Sequence, residues 1–284
     1  MRRVNKENLI SVKSKDRVFD IEAIFIDLDG TLFDKWNKKI SKKNIEAVRE
    51  RQKEIPFIIS TGRSYSKKVK KIMELLNIDY AICQNGAVVV DKSGNILQNI
   101  TLSENQVSKI LDITKKNKLG FTINSEFLIY TNHWLWVPFR FLWKKRWKLI
   151  KKYKFEENKV NKIVVAGFIK TKKVWELAEY MNNEIKGLSI KTSGRDKVIE
   201  ITCDSATKGK GAQFISNILG IDVKNTVHIG DSENDTTTLG IVGALIAVKD
   251  GSLKLLNVAT HIGPNHKRGG VSKILNGDFI EKIN

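Results

Sequence analysis

The sequence predicts an α/β protein: a core of parallel strands and helices, interrupted by a second, α+β unit. Three observations carry this. Short apolar runs alternate with helical apolar patterns over residues 1–86 and again over 195–284. Between them the rhythm changes to hairpins mixed with helices. Acidic and small polar motifs stand where several of the core's apolar runs end, which is where open α/β sheets place their sites.

Residues 22–28 read as a buried strand, and Ser41 as the cap of a helix whose apolar positions include Ile45 and Val48. Residues 55–60 form a second strand, 64–76 a second helix and 80–83 a third strand, an order that argues for a parallel sheet. Residues 87–91 and 95–101 flank a Lys-Ser-Gly turn as a hairpin, and Ser103 caps a helix to about residue 118. Strand-like runs follow at 121–124 and 127–131, then a Trp- and Lys-rich stretch, a strand at 162–169 and a helix at 172–184. This mixture assigns 87–194 to an insertion. Residues 197–202 read as a strand leading back to the core. Helices at 207–219, 234–239 and 252–258 then alternate with strands at 226–229, 244–248 and 260–262, and a last helix starts at Gly270.

Of 284 residues, 41% are hydrophobic, enough for a sizeable core, and only three are proline, which argues against a long disordered linker. The net charge of +19 raises the question of a nucleic-acid or membrane partner, but the lysines are dispersed over the whole chain, which favours plain lysine abundance. Cys83 and Cys203 fit no metal or redox spacing and lie in apolar runs, so buried free thiols in a reducing compartment are expected. Residues 1–20 are basic without the apolar stretch of a signal peptide, and no run approaches the ~18 apolar residues of a membrane span, so a soluble cytoplasmic protein is expected.

Four segments mark the site. They are Asp27-Leu28-Asp29-Gly30-Thr31, Ser60-Thr61-Gly62-Arg63, Thr207-Lys208-Gly209 and the run from Gly230 through Asp231 and Asn234 to Asp235. Each alone suits a capped turn or a solvated loop; together, in this order, they are hard to explain that way. Clustered carboxylates call for a cation, and Mg²⁺ suits an oxygen-only site with one or two carboxylates and a substrate phosphate. A hydroxyl, a lysine and helix N-terminal amides suit phosphate oxygens.

With the Gln84-Asn85-Gly86-Ala87 turn and the tail from Gly269 to Leu275, these motifs resemble the haloacid dehalogenase-like hydrolase superfamily, in particular its Cof-type phosphatases with a large α/β cap. The resemblance runs from Glu22 nearly to the end of the chain. It implies a Rossmann-like core with an inserted cap that sets specificity. It implies a Mg²⁺-dependent phosphatase of small phosphorylated metabolites, with Asp27 as the nucleophile that forms an aspartyl-phosphate and Asp29 as general acid and base. Thr61, Gly62, Asn234 and Lys208 would bind phosphate, Lys208 neutralising charge, and Asp27, Asp29 through its carbonyl, Asp231 and Asp235 would form or support the metal site. The two-residue period of a strand would turn Asp27 and Asp29 to one side.

The chain departs from the family's pattern at Val248-Lys249-Asp250-Gly251 and at Asn265-His266-Lys267-Arg268, where small or acidic residues are usual. Cationic loops at a pocket mouth would favour a substrate with more than one anionic group. In the insertion, Trp134, Trp136, Trp143 and Trp147 interleave with ten basic residues between Arg140 and Lys162. Their helical spacing favours an amphipathic cap helix packed by its Trp face over a nucleic-acid or membrane surface. A phosphomutase, or a binding module working through this basic stretch, are the alternative functions.

Overall fold

A computed structural model describes residues 11–14, 17–35, 37–124, 128–130, 148–150, 153–166, 171–193 and 198–282. The chain divides into two compact units, Met1–Gln98 with Thr207–Asn284, and Asn99–Ala206.

The first unit is built on a nine-stranded sheet. An antiparallel pair, β1 (Ser11–Ser14) and β2 (Arg17–Asp20), precedes it. The sheet's centre is β3 (Ala23–Ile26), β4 (Phe57–Ser60), β5 (Tyr80–Cys83), β14 (Thr226–Gly230), β15 (Ala244–Val248) and β16 (His261–Gly263). These run parallel in the order β16-β15-β14-β3-β4-β5. Strands β3, β4, β14 and β15 are buried at every position, as a sheet covered on both faces requires. The ends are finished by β6 (Val88–Asp91), antiparallel to β5, with β7 (Ile96–Asn99) beyond it, and by β17 (Ile280–Glu281), antiparallel to β16. Helices α1 (Lys42–Arg51) and α2 (Lys67–Leu76) are capped by the hydroxyls of Ser41 and Ser66.

The second unit has a six-stranded sheet in the order β10-β9-β8-β11-β13-β12. Its members are β8 (Gly120–Ile123), β9 (Leu128–Tyr130), β10 (Lys148–Ile150), β11 (Lys162–Ala166), β12 (Leu188–Ser193) and β13 (Val198–Cys203). Helix α3 (Glu104–Lys116), with a capping box between Ser103 and Gln106, and helix α4 (Thr171–Glu184) pack on it. They enclose a separate core that includes Val107, Ile110, Ile163, Val174, Met181 and Ile201.

Several sequence expectations are corrected here. The hairpin at 88–99 extends the core sheet rather than opening the insertion, and the strand at 198–203 pairs antiparallel with β11 and β12 rather than returning to the core. The compact unit that holds β8 to β13 covers Asn99–Ala206. Antiparallel strands look alike in sequence whichever sheet they join, so the boundary was not written in the pattern. The segment 234–239 is a 3₁₀ turn, Glu233–Thr238, rather than an α-helix. Cys203 is half-buried and within 3.0 Å of the Ser205 hydroxyl, while Cys83 is buried as expected; both are free. The four clustered tryptophans, with Arg140, Lys144, Lys145, Arg146, Lys151 and Lys152, lie outside the described residues. No helix among the described residues is long and apolar enough to cross a membrane.

Helix α5 (Lys208–Leu219) starts against the turn after β5. There Gly86 has φ +108°, and a Cβ on it would lie 2.2 Å from the Thr207 carbonyl oxygen. Gly86→Ala should therefore destabilise the first unit by more than ~1 kcal/mol through backbone strain alone, read as a lower urea midpoint with an unchanged m-value.

Candidate active site

All four sequence-predicted segments reach one end of the central sheet. Asp27 follows β3 directly and Asp231 follows β14, its immediate neighbour. Thr61 follows β4 on the other side, and Lys208 opens α5 under the Thr207 cap.

Lys208 is fully buried and decides the arrangement. Its Nζ donates to Asp27 Oδ1 at 2.6 Å and to Asp235 Oδ1 at 2.7 Å. Asp235 is buried too and has no oxygen to spare. Oδ1 also receives Nε2 of His228 at 2.7 Å, and Oδ2 accepts the backbone amides of Asp231 at 3.1 Å and Ser232 at 2.9 Å. Burial would raise its pKa, but Lys208 and His228 outweigh that and hold Asp235 well below the usual carboxylate range. The same carboxylates hold the Lys208 ammonium charged against its burial. Burial keeps His228 below its ordinary pKa, so the neutral ring donates from Nε2, and among the described residues its Nδ1 has no partner.

Asp27 and Asp231 are in the opposite condition. Burial pushes the Asp27 carboxyl up to about 7, against the pull of Lys208, with Asp235 adding to the rise. Burial, then the charges of Asp27 and Asp235, push Asp231 up to about 8. Asp231 Oδ1 is buried with no hydrogen-bond partner, and Asp27 engages only Oδ1 among the described residues. Gly30 makes room for Asp231: its φ is +81°, and a Cβ there would lie 2.2 Å from Asp231 Oδ2.

Asp29 is not on the strand. Strand β3 ends at Ile26, and Asp29 sits in a turn, bridged to Phe33. The two-residue strand period therefore does not set its direction; Arg63 does. Arg63 grips the Asp29 carboxylate with Nε on Oδ2 and with a second nitrogen 2.6 Å from Oδ1, and Lys38 Nζ adds a contact at 3.4 Å. Burial works to raise Asp29, but Arg63 and Lys38 prevail and hold it below its usual value. The Arg63 guanidinium also lies 5.2 Å over the Phe33 ring.

Thr61 is buried, and its Oγ1 accepts the Arg63 amide at 3.2 Å. Gly62 faces Asn85 and Asn234: a Cβ there would lie 2.9 Å from Asn85 Oδ1. Asn234 donates to Asn85 Oδ1 at 2.8 Å and accepts from the Ser232 hydroxyl at 2.8 Å. Arg63 and Asn85 stood inside the marked motifs without a role of their own, and His228 was not marked. Asn85, at φ +61°, had a signal in its Asn-Gly dipeptide after a strand; His228 had none.

The donor set fits a hard divalent cation. Among the described residues no group of three or more His, Cys, Asp or Glu side chains is arranged to hold a metal alone. A Mg²⁺ site does not require one, since waters and a substrate phosphate complete its shell. The two carboxylates left under-engaged, Asp27 and Asp231, are the two crowded into raised pKa values. Both oxygens of Asp235 are engaged, by Lys208, His228 and the Asp231 and Ser232 amides.

The family model for haloacid dehalogenase-like hydrolases matches residues 24–275. The chain belongs to this family. The hydrolase is 31% identical to a protein of Buchnera aphidicola (from Schizaphis graminum) named "Putative phosphatase", over 91% of this chain and 96% of that one. It is 24% identical to the 5-amino-6-(5-phospho-D-ribitylamino)uracil phosphatase of Bacillus subtilis, over 94% and 98%. A haloacid dehalogenase-like hydrolase structure from B. subtilis shares its fold with a TM-score of 0.74 at 23% identity, covering 90% of this chain and 99% of that one.

The raised carboxyls predict a linkage. Asp27 and Asp231 keep protons in the folded state that the unfolded chain releases near its reference value of 3.8. Their contribution to stability therefore falls as pH rises toward about 7 and 8. A divalent cation bound there would replace those protons. Added Mg²⁺ should raise Tm more at pH 8 than at pH 5, and Asp231→Asn should erase most of that difference in thermal-shift measurements.

Proposed function

We propose that this hydrolase is a Mg²⁺-dependent phosphatase of small phosphorylated metabolites, acting through an aspartyl-phosphate on Asp27. The observation that carries the reading is the buried Lys208 ammonium, in contact with Asp27 Oδ1 and fixed there by Asp235. A lysine so placed keeps the nucleophile oriented and meets negative charge where a phosphoryl group would sit. Asp27, Asp231 and the Asp29 carbonyl would hold Mg²⁺, which supplies charge neutralisation of the phosphoryl oxygens.

In this mechanism the chain's own groups divide the work. Asp27 attacks phosphorus, forming the acyl phosphate as the bond to the leaving oxygen breaks. The Thr61 hydroxyl and the amides near Gly62 bind the phosphoryl oxygens, and Asn234, set by Asn85, borders that cradle. Asp29 gives its proton to the leaving oxygen and then takes one from the attacking water. Paired to Arg63 and Lys38 it is ionised, so the acid role requires it to leave Arg63 and first take up a proton from water. An anionic substrate, which competes for both cations, supplies the reason to leave. Cys83 and Cys203, both free, fit a cytoplasmic setting.

The purified chain with Mg²⁺ should hydrolyse para-nitrophenyl phosphate and members of a phosphorylated-metabolite panel, releasing inorganic phosphate without a bisphosphate activator. Asp27→Asn should abolish turnover, and Asp29→Asn should lower kcat by ~10²–10⁴ while leaving the fold intact by circular dichroism. Wild-type turnover by Asp27→Asn would sink the mechanism. Phosphate transfer within a sugar without release would point to a mutase.

A further inference from the structure

Two loops beside the proposed site carry charge that the mechanism does not use. One follows β15 and holds Lys249 and Asp250; the other follows β16 and holds His266, Lys267 and Arg268. They are joined to each other. The Lys249 amide donates to the Pro264 carbonyl at 3.2 Å, and the His266 amide to Asp250 Oδ1 at 2.9 Å. The His266 ring closes the link, with Nδ1 on Asp250 Oδ2 at 2.6 Å.

They are also tied to the site from both sides. The Ser252 amide donates to the carbonyl of Asp231 at 2.7 Å. The Gly269 amide donates to Oδ2 of the buried Asp34 at 2.8 Å, and Asp34 belongs to the segment that leaves β3 through Asp27 and Asp29. Arg268 and Gly269 both take left-handed backbone, φ +58° and +85°, and the Asp34 contact holds that turn in place. The cationic loop is thus suspended between the segments that carry Asp27 and Asp231.

Its charge is uncompensated. Some exposed lysines elsewhere in the chain meet carboxylates, as in Lys42 with Glu46, Lys53 with Glu50 and Lys254 with Glu233. Among the described residues Lys249, Lys267 and Arg268 have no carboxylate partner, and all three are exposed. The acidic groups nearby are spent, Asp250 on His266 and Asp34 on the amides of Ser41 and Gly269. Asp250 takes Nδ1 of His266 and leaves Nε2 as the ring's remaining polar atom.

We propose that Lys249, His266, Lys267 and Arg268 form a second anion subsite for the far end of the substrate. The inference rests on the phosphatase reading and narrows its substrate class to phosphate monoesters that carry another anionic group, a carboxylate or a second phosphate. Strand β16 stands three places from β3, about 14 Å at ~4.8 Å per strand, so an extended chain of several carbons, with the long side chains reaching inward, spans the gap.

The test uses the full chain with Mg²⁺ and para-nitrophenyl phosphate as reporter. Glucitol 6-phosphate and 6-phosphogluconate compete against it; they share a six-carbon chain and differ in one terminal carboxylate. The subsite requires a Ki for 6-phosphogluconate roughly tenfold or more below that for glucitol 6-phosphate, a modest value for one desolvated ion pair. His266→Gln and the double variant Lys267→Glu/Arg268→Glu should bring the ratio of the two Ki values to near one. Because the ratio is the readout, any weakening at the phosphoryl end cancels. Lys70→Glu/Lys71→Glu changes the same net charge on the exposed face of α2 and should leave the ratio intact. A wild-type ratio near one, a ratio unmoved by the loop variants, or a ratio lost equally in the α2 control would each overturn the subsite while reporter hydrolysis upheld the phosphatase. Failure to hydrolyse the reporter or any ester in the panel would overturn both.

Discussion

A single ammonium group, that of Lys208, organises the proposed centre. It is wholly buried, and a buried charge persists only where its partners are fixed. Those partners come from distant parts of the chain: Asp27 at the exit of β3 and Asp235 in the turn after β14. Removing one member of such a set leaves an unpaired buried charge, which costs about 3–5 kcal/mol, so the geometry of the turns around it is strongly specified. The requirement propagates outward. Asp235 can hold Lys208 only because the Asp231 and Ser232 amides and His228 hold Asp235. Gly86 is needed because the turn after β5 touches Thr207, the residue that starts the helix carrying Lys208.

The same constraint explains what could be read in advance. Asp27, Lys208 and Asp231 stand beside strand or helix ends whose apolar runs are unambiguous, so their convergence followed from sheet topology. Asp29 also stood out, but its direction did not follow from strand periodicity. The chain leaves the sheet at Asp27, and a side chain in a turn takes its direction from its partner, here Arg63. His228 was illegible for a different reason. In the run Thr226–Gly230 it occupies an ordinary strand position, and only the fold shows that its ring faces Asp235. The strands at 88–91 and 198–203 did not disclose their sheet because both pair antiparallel, and an alternating pattern says nothing about which sheet accepts a strand.

Charge is distributed unevenly over the four carboxylates, and this bears on chemistry more than their number does. Asp235 and Asp29 each have cationic partners at hydrogen-bond distance and lie low. Asp27 shares one ammonium with a competitor, and among the described residues Asp231 has no direct cation, so burial dominates both and lifts them to about 7 and 8. Where neighbouring acids are pushed apart in this way, their roles separate. The low pair stays anionic across neutral pH: Asp235 held by Lys208 and His228, Asp29 held by Arg63 and Lys38.

The lifted pair cannot serve in that state. A carboxylic acid is a poor nucleophile, and an Asp27 that is half-protonated near neutrality presents an ionised oxygen only part of the time. Lys208 alone does not correct this, because Asp235 already claims much of its field. A divalent charge between Asp27 and Asp231 would correct both at once, removing the repulsion that lifts them and using the oxygens that lack partners. The site is thus built one cation short. In the proposed mechanism that shortage, more than any single motif, would tie the ionisation of Asp27 to the arrival of a metal.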